Sequence, residues 1–363
     1  MTGETTIPRF PEVDAWGGAN AAIGPLADDE SKLWSEAQKT FAKLQEEEKI
    51  YADDPLQAYL QNLTESIVPP VDETGPKFSL HVLDLPDRNA AALPDGTILL
   101  TLGLLAALEN EAELAMVIGH EAAHVVKRHS LIEFRYGEIT SSHVDRMRLS
   151  RRNESEADEF GLALVNSAGY DAAASIHALE HLREEAAADI QFRPAWSSHW
   201  NLRFRKSDLK RASRQNHPRG DRITSEAFER AIDPIRLEAA LQALEGGERL
   251  DAKELIEREL ARDPSIGRAY FLRAELARRD HPEQRLAPAV GDDYRRAVAL
   301  APEDADALRA LGLFLRDTGD ADASNAMLRR YLAARPDAVD RKIVERYLGG
   351  PGGAAAEPAV DRP

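Results

Sequence analysis

Apolar residues recur at helical intervals near the start of the chain. Leu33, Trp34, Ala37, Phe41 and Leu44 lie three and four apart, which predicts a helix over 29–50. Before it, residues 1–28 are rich in Gly, Pro and Thr without periodicity, as expected of an extended arm. A second helix is expected after Pro55, through "LQAYLQNLTESIV". "FSLHVLDL" at 78–85 alternates like a strand, and "NAAALPDGTILLT" at 89–101 reads as strand, turn at Pro94-Asp95-Gly96, strand. The stretch 97–101 fits either an edge strand that could pair with an extended substrate or a core strand burying Ile98 and Leu100. A long helical region follows over about 103–129, with a break expected near Glu109. Another helix is expected over 152–168, with Gly169 as its stop.

From about 231 the pattern is helical throughout. Pro264, Pro302 and Pro336 mark a period, separated by 38 and 34 residues. Gly247 and Ala252 precede Pro264 by 17 and 12, and Gly319 and Ser324 precede Pro336 by the same offsets. With Leu311-Gly312 in "LRALGLFL", this register resembles three tetratricopeptide repeats, the middle one lengthened near "DHPEQRLAPAVGDD". A capping helix is expected over 339–348, and a disordered tail over 350–363. An ordinary helical bundle is the plainer alternative.

Composition narrows the functional classes. The 363 residues suggest two or three domains, and a net charge of −17 argues against general nucleic-acid or anionic-membrane binding. With no cysteine, disulfides, thiolate nucleophiles and cysteine-bound metals are excluded. The longest apolar run, "TILLTLGLLAAL", is too short for a transmembrane span, which needs about 20 residues. The N-terminal sequence has neither the basic nor the apolar region of a signal peptide.

The candidate chemistry centres on "IGHEAAHVVKRH" at 118–129. His120 and His124 are one helical turn apart, so both imidazoles project from one face, as two ligands of a tetrahedral zinc would. Glu121 lies beside that face, suited to acting on a water rather than to binding metal. A third ligand is available in "NESEADEFG": Glu154, with Asp158 one turn on, placed to accept a hydrogen bond from a ligand histidine. Each segment alone also fits an ordinary helix face. His129, five residues past His124, is expected to turn away and be structural, and Glu156 to point elsewhere.

The pair "HEAAH" and "NESEAD" resembles a gluzincin, and Glu154 to Gly161 resembles the Glu-x-x-Ala-Asp-x-x-Gly pattern of metallopeptidase family 48. "NAAALPDGTILLTLGLL", "ENEAELAMVIGHEAAHVVKRH" and "HPRGDRI" at 217–223 are similar to further motifs of that family. The resemblance covers about 30–230. With the repeats it points to the soluble β-barrel assembly-enhancing protease branch, and so to the periplasm. The absence of a visible export signal leaves the cytoplasm as the alternative. It implies Zn²⁺ held by His120, His124 and Glu154, a metal that lowers the pKa of its water toward ~7, with Glu121 as general base. It also brings His217 and Arg222 to the cleft, either to stabilise the oxyanion or, for His217, to cap the metal in a resting state. A rigid His217-Pro218 turn is the plain alternative.

The fold expected is mainly α (α+β): an extended arm over 1–28, a zinc-metalloprotease domain with a small sheet over 29–230, an α-helical repeat solenoid over 231–349, and a tail. The function expected is a zinc endopeptidase of protein quality control that takes protein or peptide substrates, with the repeats recruiting clients or partners. A non-enzymatic repeat adaptor or chaperone with a degenerate protease domain is the alternative. One segment stands apart: Phe192 to Arg222 carries nine Lys or Arg and two Asp, with Trp196, Trp200 and Phe204. It reads as a cover over the cleft, a site for an acidic partner, or a solvated loop.

Overall fold

The computed structural model describes residues 26–68, 76–139, 143–181, 205, 207–211 and 220–349. Most of the expected arm, the tail, His217 and the aromatic residues Phe192, Trp196, Trp200 and Phe204 lie outside the described residues. The chain divides into two compact units, 1–236 and 237–363. Among the described residues, no helix is long and apolar enough to cross a membrane.

In the first unit, α1 (Leu26–Glu46) buries Leu33, Ala37 and Leu44 and leaves its polar positions to solvent. Ala37 and Leu44 share a cluster with Leu93 and Leu99, flanked by Phe41, Ile50 and Leu83. α2 (Asp54–Ile67) starts where the Asp53 side chain accepts the Leu56 N–H at 2.8 Å and Pro55 presets the first turn. It buries Leu56, Leu60, Leu63 and Ile67 at helical spacing.

Three strands follow: β1 (Ser79–Leu83), β2 (Ala90–Ala92) and β3 (Thr97–Thr101). Their order is β1-β3-β2, with β1 parallel and β2 antiparallel to β3. The edge-strand reading of 97–101 is therefore corrected. β3 is paired on both sides, and all five of its residues are buried. A strand covered on both faces reads as a continuous apolar run, and "TILLT" does. Gly96, at φ +100°, makes the turn before it, where a Cβ would lie 2.7 Å from the Lys77 carbonyl oxygen.

The helical stretch after β3 breaks at 108–110, close to the expected place. It gives α3 (Leu102–Ala107) and α4 (Glu111–Val126). α5 (His129–Ile139), which periodicity does not announce, and α6 (His143–Ser167) follow. α6 begins nine residues earlier than expected, because its first turns, "HVDRMRLSRR", carry few apolar residues to betray a helix. Two single-turn helices, α7 (Ala172–Ser175) and α8 (Ala178–His181), close this part. The unit boundary falls inside α9 (Glu226–Gly246).

The second unit continues with α10 (Arg249–Arg262), α11 (Gly267–Asp280), α12 (Pro288–Leu300), α13 (Ala305–Asp317), α14 (Ala321–Ala334) and α15 (Arg341–Gly349). Each helix from α10 onward packs on the next. The additional residues near 281–287 form a single 3-10 turn, Pro282–Gln284, before α12. Small residues sit where helices touch. A Cβ on Gly312 would meet Leu328 at 2.7 Å, and the Ser324 hydroxyl donates to the Gly312 carbonyl at 2.8 Å. Gly247 and Gly319 adopt φ of +87° and +91° at helix ends, a conformation costly to other residues.

Candidate metal centre

α4 opens on a reciprocal cap. The Asn110 side chain accepts the Glu113 N–H at 3.0 Å, and Glu113 accepts the Glu109 N–H at 2.7 Å. The helix is buried almost all round, through Ala112, Leu114, Ala115, Met116, Ile118, Ala122 and Ala123. Within that apolar sheath His120 and Glu121 are 4% and 3% exposed. Polar groups withdrawn this far from water are stable only with partners. α6 provides them: Glu154 and Asp158 are buried to the same degree and lie one turn apart.

Two glycines bring the helices together. A Cβ on Gly161 would lie 2.8 Å from the His120 nitrogen, and one on Gly119 3.0 Å from the Gly161 carbonyl oxygen. Backbone-to-backbone approach at this point places the His120 ring against the α6 carboxylates. Gly161→Ala should force α4 and α6 apart and destabilise the fold by about 1–3 kcal/mol, measured by denaturant unfolding of the purified chain. A change within ~0.5 kcal/mol, the range of an ordinary surface substitution, would show that the helices part freely.

His120 Nε2 and His124 Nε2 are 3.1 Å apart, His120 Nε2 lies 3.6 Å from Glu154 Oε2, and His124 Nε2 lies 3.5 Å from Glu154 Oε1. Tetrahedral bonds of ~2.0–2.1 Å place neighbouring ligand atoms roughly 3.3–3.4 Å apart. The two Glu154 distances run to different oxygens, and one ligand atom from each residue lies within 4.8 Å of the others, close enough to share a cation. Two imidazoles and a carboxylate are also the donor set such an ion takes. His120 Nδ1 is 2.9 Å from Asp158 Oδ1, and Arg205 Nη2 lies 3.3 Å from both ring nitrogens. Burial and the Arg205 charge disfavour a proton on His120, but hydrogen bonds to Asp158 and Glu154 prevail and lift its pKa to about 9. A bound metal would therefore displace a proton here.

Two participants escape the sequence reading. The first is His129, which is 2% exposed and whose Nδ1 lies 3.0 Å from His124 Nδ1. The expectation that it turns away assumed a continuous helix. α4 instead ends at Val126, and Arg128, at φ +55°, reverses the chain so that α5 starts on His129. Glu156 lies outside the candidate ligand set, with its Oε2 3.6 Å from His129 Nε2 and its Oε1 3.2 Å from Lys127 Nζ. Burial, foremost, drives the His129 pKa down to about 4, so this imidazole is neutral at physiological pH.

The second is Arg205, from the basic stretch. Its Nε and Nη2 grip Asp158 at 2.9 and 2.7 Å, and its Nη1 is 2.6 Å from Glu154 Oε2. Burial alone would raise the Asp158 pKa, but the Arg205 charge and fork, with His120, hold it below the usual carboxylate range. The charge of Glu121 also acts on Arg205. The cluster of nine basic residues was the available signal. Nothing in the sequence distinguishes the one arginine that is buried.

The structure thus brings His120, His124, Glu154 and Asp158 together, with Glu121 on the same helix. Arg222 is placed in a different network. Its Nη2 bonds Glu111 Oε1 at 3.0 Å and the Tyr170 hydroxyl at 2.9 Å, while its guanidinium lies 4.3 Å from the Tyr170 ring centre. Glu111, at the start of α4, also accepts from Tyr59, Tyr170 and Ser225. Backbone bonds of Arg222 with Gly169 and Asp171, and of Ile223 with Ala112, fix this segment to the ends of α6 and α4. These described contacts tie Arg222, whose side chain is half exposed, to Glu111 and Tyr170.

Residues 55–144 match Peptidase family M48. That span includes His120, Glu121, His124 and His129 and ends before Glu154. The chain is similar to the mitochondrial metalloendopeptidase OMA1 of Arabidopsis thaliana, 29% identical over 174 residues, covering 43% of this chain and 35% of the relative. It is 24% identical over 241 residues to a putative β-barrel assembly-enhancing protease of Vibrio cholerae, covering 58% of this chain and 48% of the relative. The OMA1 metalloendopeptidase of Schizosaccharomyces pombe is 27% identical over 165 residues, covering 40% of this chain and 49% of the relative. The chain thus spans about a third to a half of the length of these curated relatives. Together the matches and the His-His-Glu triangle support a metallopeptidase domain of the M48 type.

Proposed function

We propose that this chain is a zinc-dependent endopeptidase acting on protein substrates, with a C-terminal tetratricopeptide-like module that recruits clients or partners. The observation that carries the reading is the cluster of His120, His124 and Glu154, with the buried Glu121 next to His120 on the same helix. His120, His124 and Glu154 would hold the metal, which would supply Lewis-acid polarisation and a water of lowered pKa. Glu121 takes the proton of the attacking water and returns it to the leaving amine. Asp158 keeps the His120 proton on Nδ1, so that Nε2 stays a ligand atom. The intact base favours an enzyme over a degenerate scaffold. The proline period and the glycine contacts of α10–α14 support the repeat reading, since stacked helix pairs leave a surface suited to extended partners. A role in protein quality control would fit a chain that carries both a client-recruiting module and a peptidase centre.

The test is elemental analysis with cleavage of an unfolded protein. About one zinc per chain is expected. Removing zinc with a chelator should abolish cleavage, and returning it should restore cleavage. A fully active, metal-free protein would refute the reading.

A further inference from the structure

We infer that His129 is the positioning residue for His124: its Nδ1 accepts the Nδ1–H of His124 and holds that ring with Nε2 aimed into the ligand triangle. The inference rests on the metal reading above. The two Nδ1 atoms are 3.0 Å apart, so one carries the proton and the other the lone pair. His124 Nε2 faces His120 Nε2 at 3.1 Å and Glu154 Oε1 at 3.5 Å. A His124 that offers a lone pair there must carry its proton on Nδ1. His129 is then the acceptor, with its own proton on Nε2, toward Glu156 Oε2 at 3.6 Å.

The arrangement has the marks of a built contact. His129 is 2% exposed, and its ring meets that of His124 nearly edge-on, at 80° with centres 4.9 Å apart. The left-handed Arg128 is what brings it there. Lys127 holds the other oxygen of Glu156 at 3.2 Å, so the carboxylate is anchored from the same turn that delivers His129. Each histidine ligand therefore has its own orienting partner: Asp158 for His120 and His129 for His124. The second is a neutral acceptor, which orients the ring without adding another negative charge to a site that already holds Glu121, Glu154 and Asp158.

The test is zinc affinity of the full chain, measured by competition with a chromophoric chelator. The variants are His129→Leu, His129→Asn and His124→Ala. Outer partners of metal ligands typically contribute 10–100-fold in affinity. His129→Leu fills a similar volume without an acceptor and should weaken zinc by about that factor. His129→Asn retains an acceptor oxygen at the δ position and should recover most of the loss, which a packing role would not predict. Zinc affinity unchanged in His129→Leu, while His124→Ala binds poorly, would overturn this inference and leave the metal reading standing. A wild type that binds no zinc would overturn both. If His129→Leu fails to fold, imidazole nitrogen shifts of the zinc-loaded wild type decide: His124 protonated at Nδ1 supports the inference, and His124 metallated at Nδ1 overturns it.

Discussion

Glu121→Gln should keep its zinc and lose proteolysis by roughly 10³-fold or more, above the middle of the ~10²–10⁴ range for a general base. Glu121 is 3% exposed on a helix whose buried residues are mostly apolar. A glutamine fits the same space and keeps a hydrogen-bonding oxygen, but it cannot accept a proton at neutral pH. It can neither activate the water nor return a proton to the amine, so both halves of the reaction suffer. The zinc ligands are untouched, so metal content should match wild type. The measurement is kcat/KM on an unstructured peptide alongside metal analysis. Activity within tenfold of wild type would remove Glu121 from the chemistry. Loss of zinc would recast it as a ligand.

Arg205→Ala should destabilise the metal-free protein by about 3–5 kcal/mol, the usual cost of leaving buried charges without their partner. Arg205 is 6% exposed and bonds two carboxylates that are themselves 4% and 3% exposed. Without the guanidinium, Glu154 and Asp158 face each other across His120 in a site with little water. They must repel or take up protons, and either raises the energy of the fold. Added zinc should recover part of the loss, because a dication at the triangle neutralises the same groups. Denaturant unfolding with and without zinc measures both effects. A metal-free Arg205→Ala chain as stable as wild type would mean that the carboxylates do not depend on this cation.

Much of the first unit was readable because its signals are local. His120, Glu121 and His124 share one helix, Glu154 and Asp158 another, and the one-turn spacing dictates which side chains share a face. A break near Glu109 was expected and is found at 108–110, and helices throughout the second unit were readable from the helical pattern after 231. What was not readable depends on chain reversal or on distance in sequence. His129 joins the site only because Arg128 accepts a left-handed conformation, which no periodicity reveals. Arg205 reaches Asp158 across 47 residues, and its neighbours Arg203 and Lys206 look the same in sequence. β3 was misplaced as a possible edge because pairing partners on both sides are a property of the sheet, not of the strand. Arg222 sits in a motif that suggested the cleft, yet Glu111 and Tyr170 take up its guanidinium.

The close approach of Gly119 and Gly161 also bears on ion selectivity. The separation of the two helices is set by backbone atoms that cannot move closer and that apolar packing keeps from moving apart. The His-His-Glu cluster, with closest approaches of 3.1–3.6 Å, sits on these two helices. A hard cation such as calcium asks for six to eight oxygens at roughly 2.3–2.6 Å, and magnesium for an octahedron of oxygens. Neither finds them between two imidazoles and one carboxylate. Among first-row ions the same triangle also admits cobalt, which accepts nitrogen donors in tetrahedral array, so discrimination within that group falls to supply in the cell rather than to the protein. On the metal reading, the two glycines would thus bear on which cations the site accepts, although neither offers a ligand.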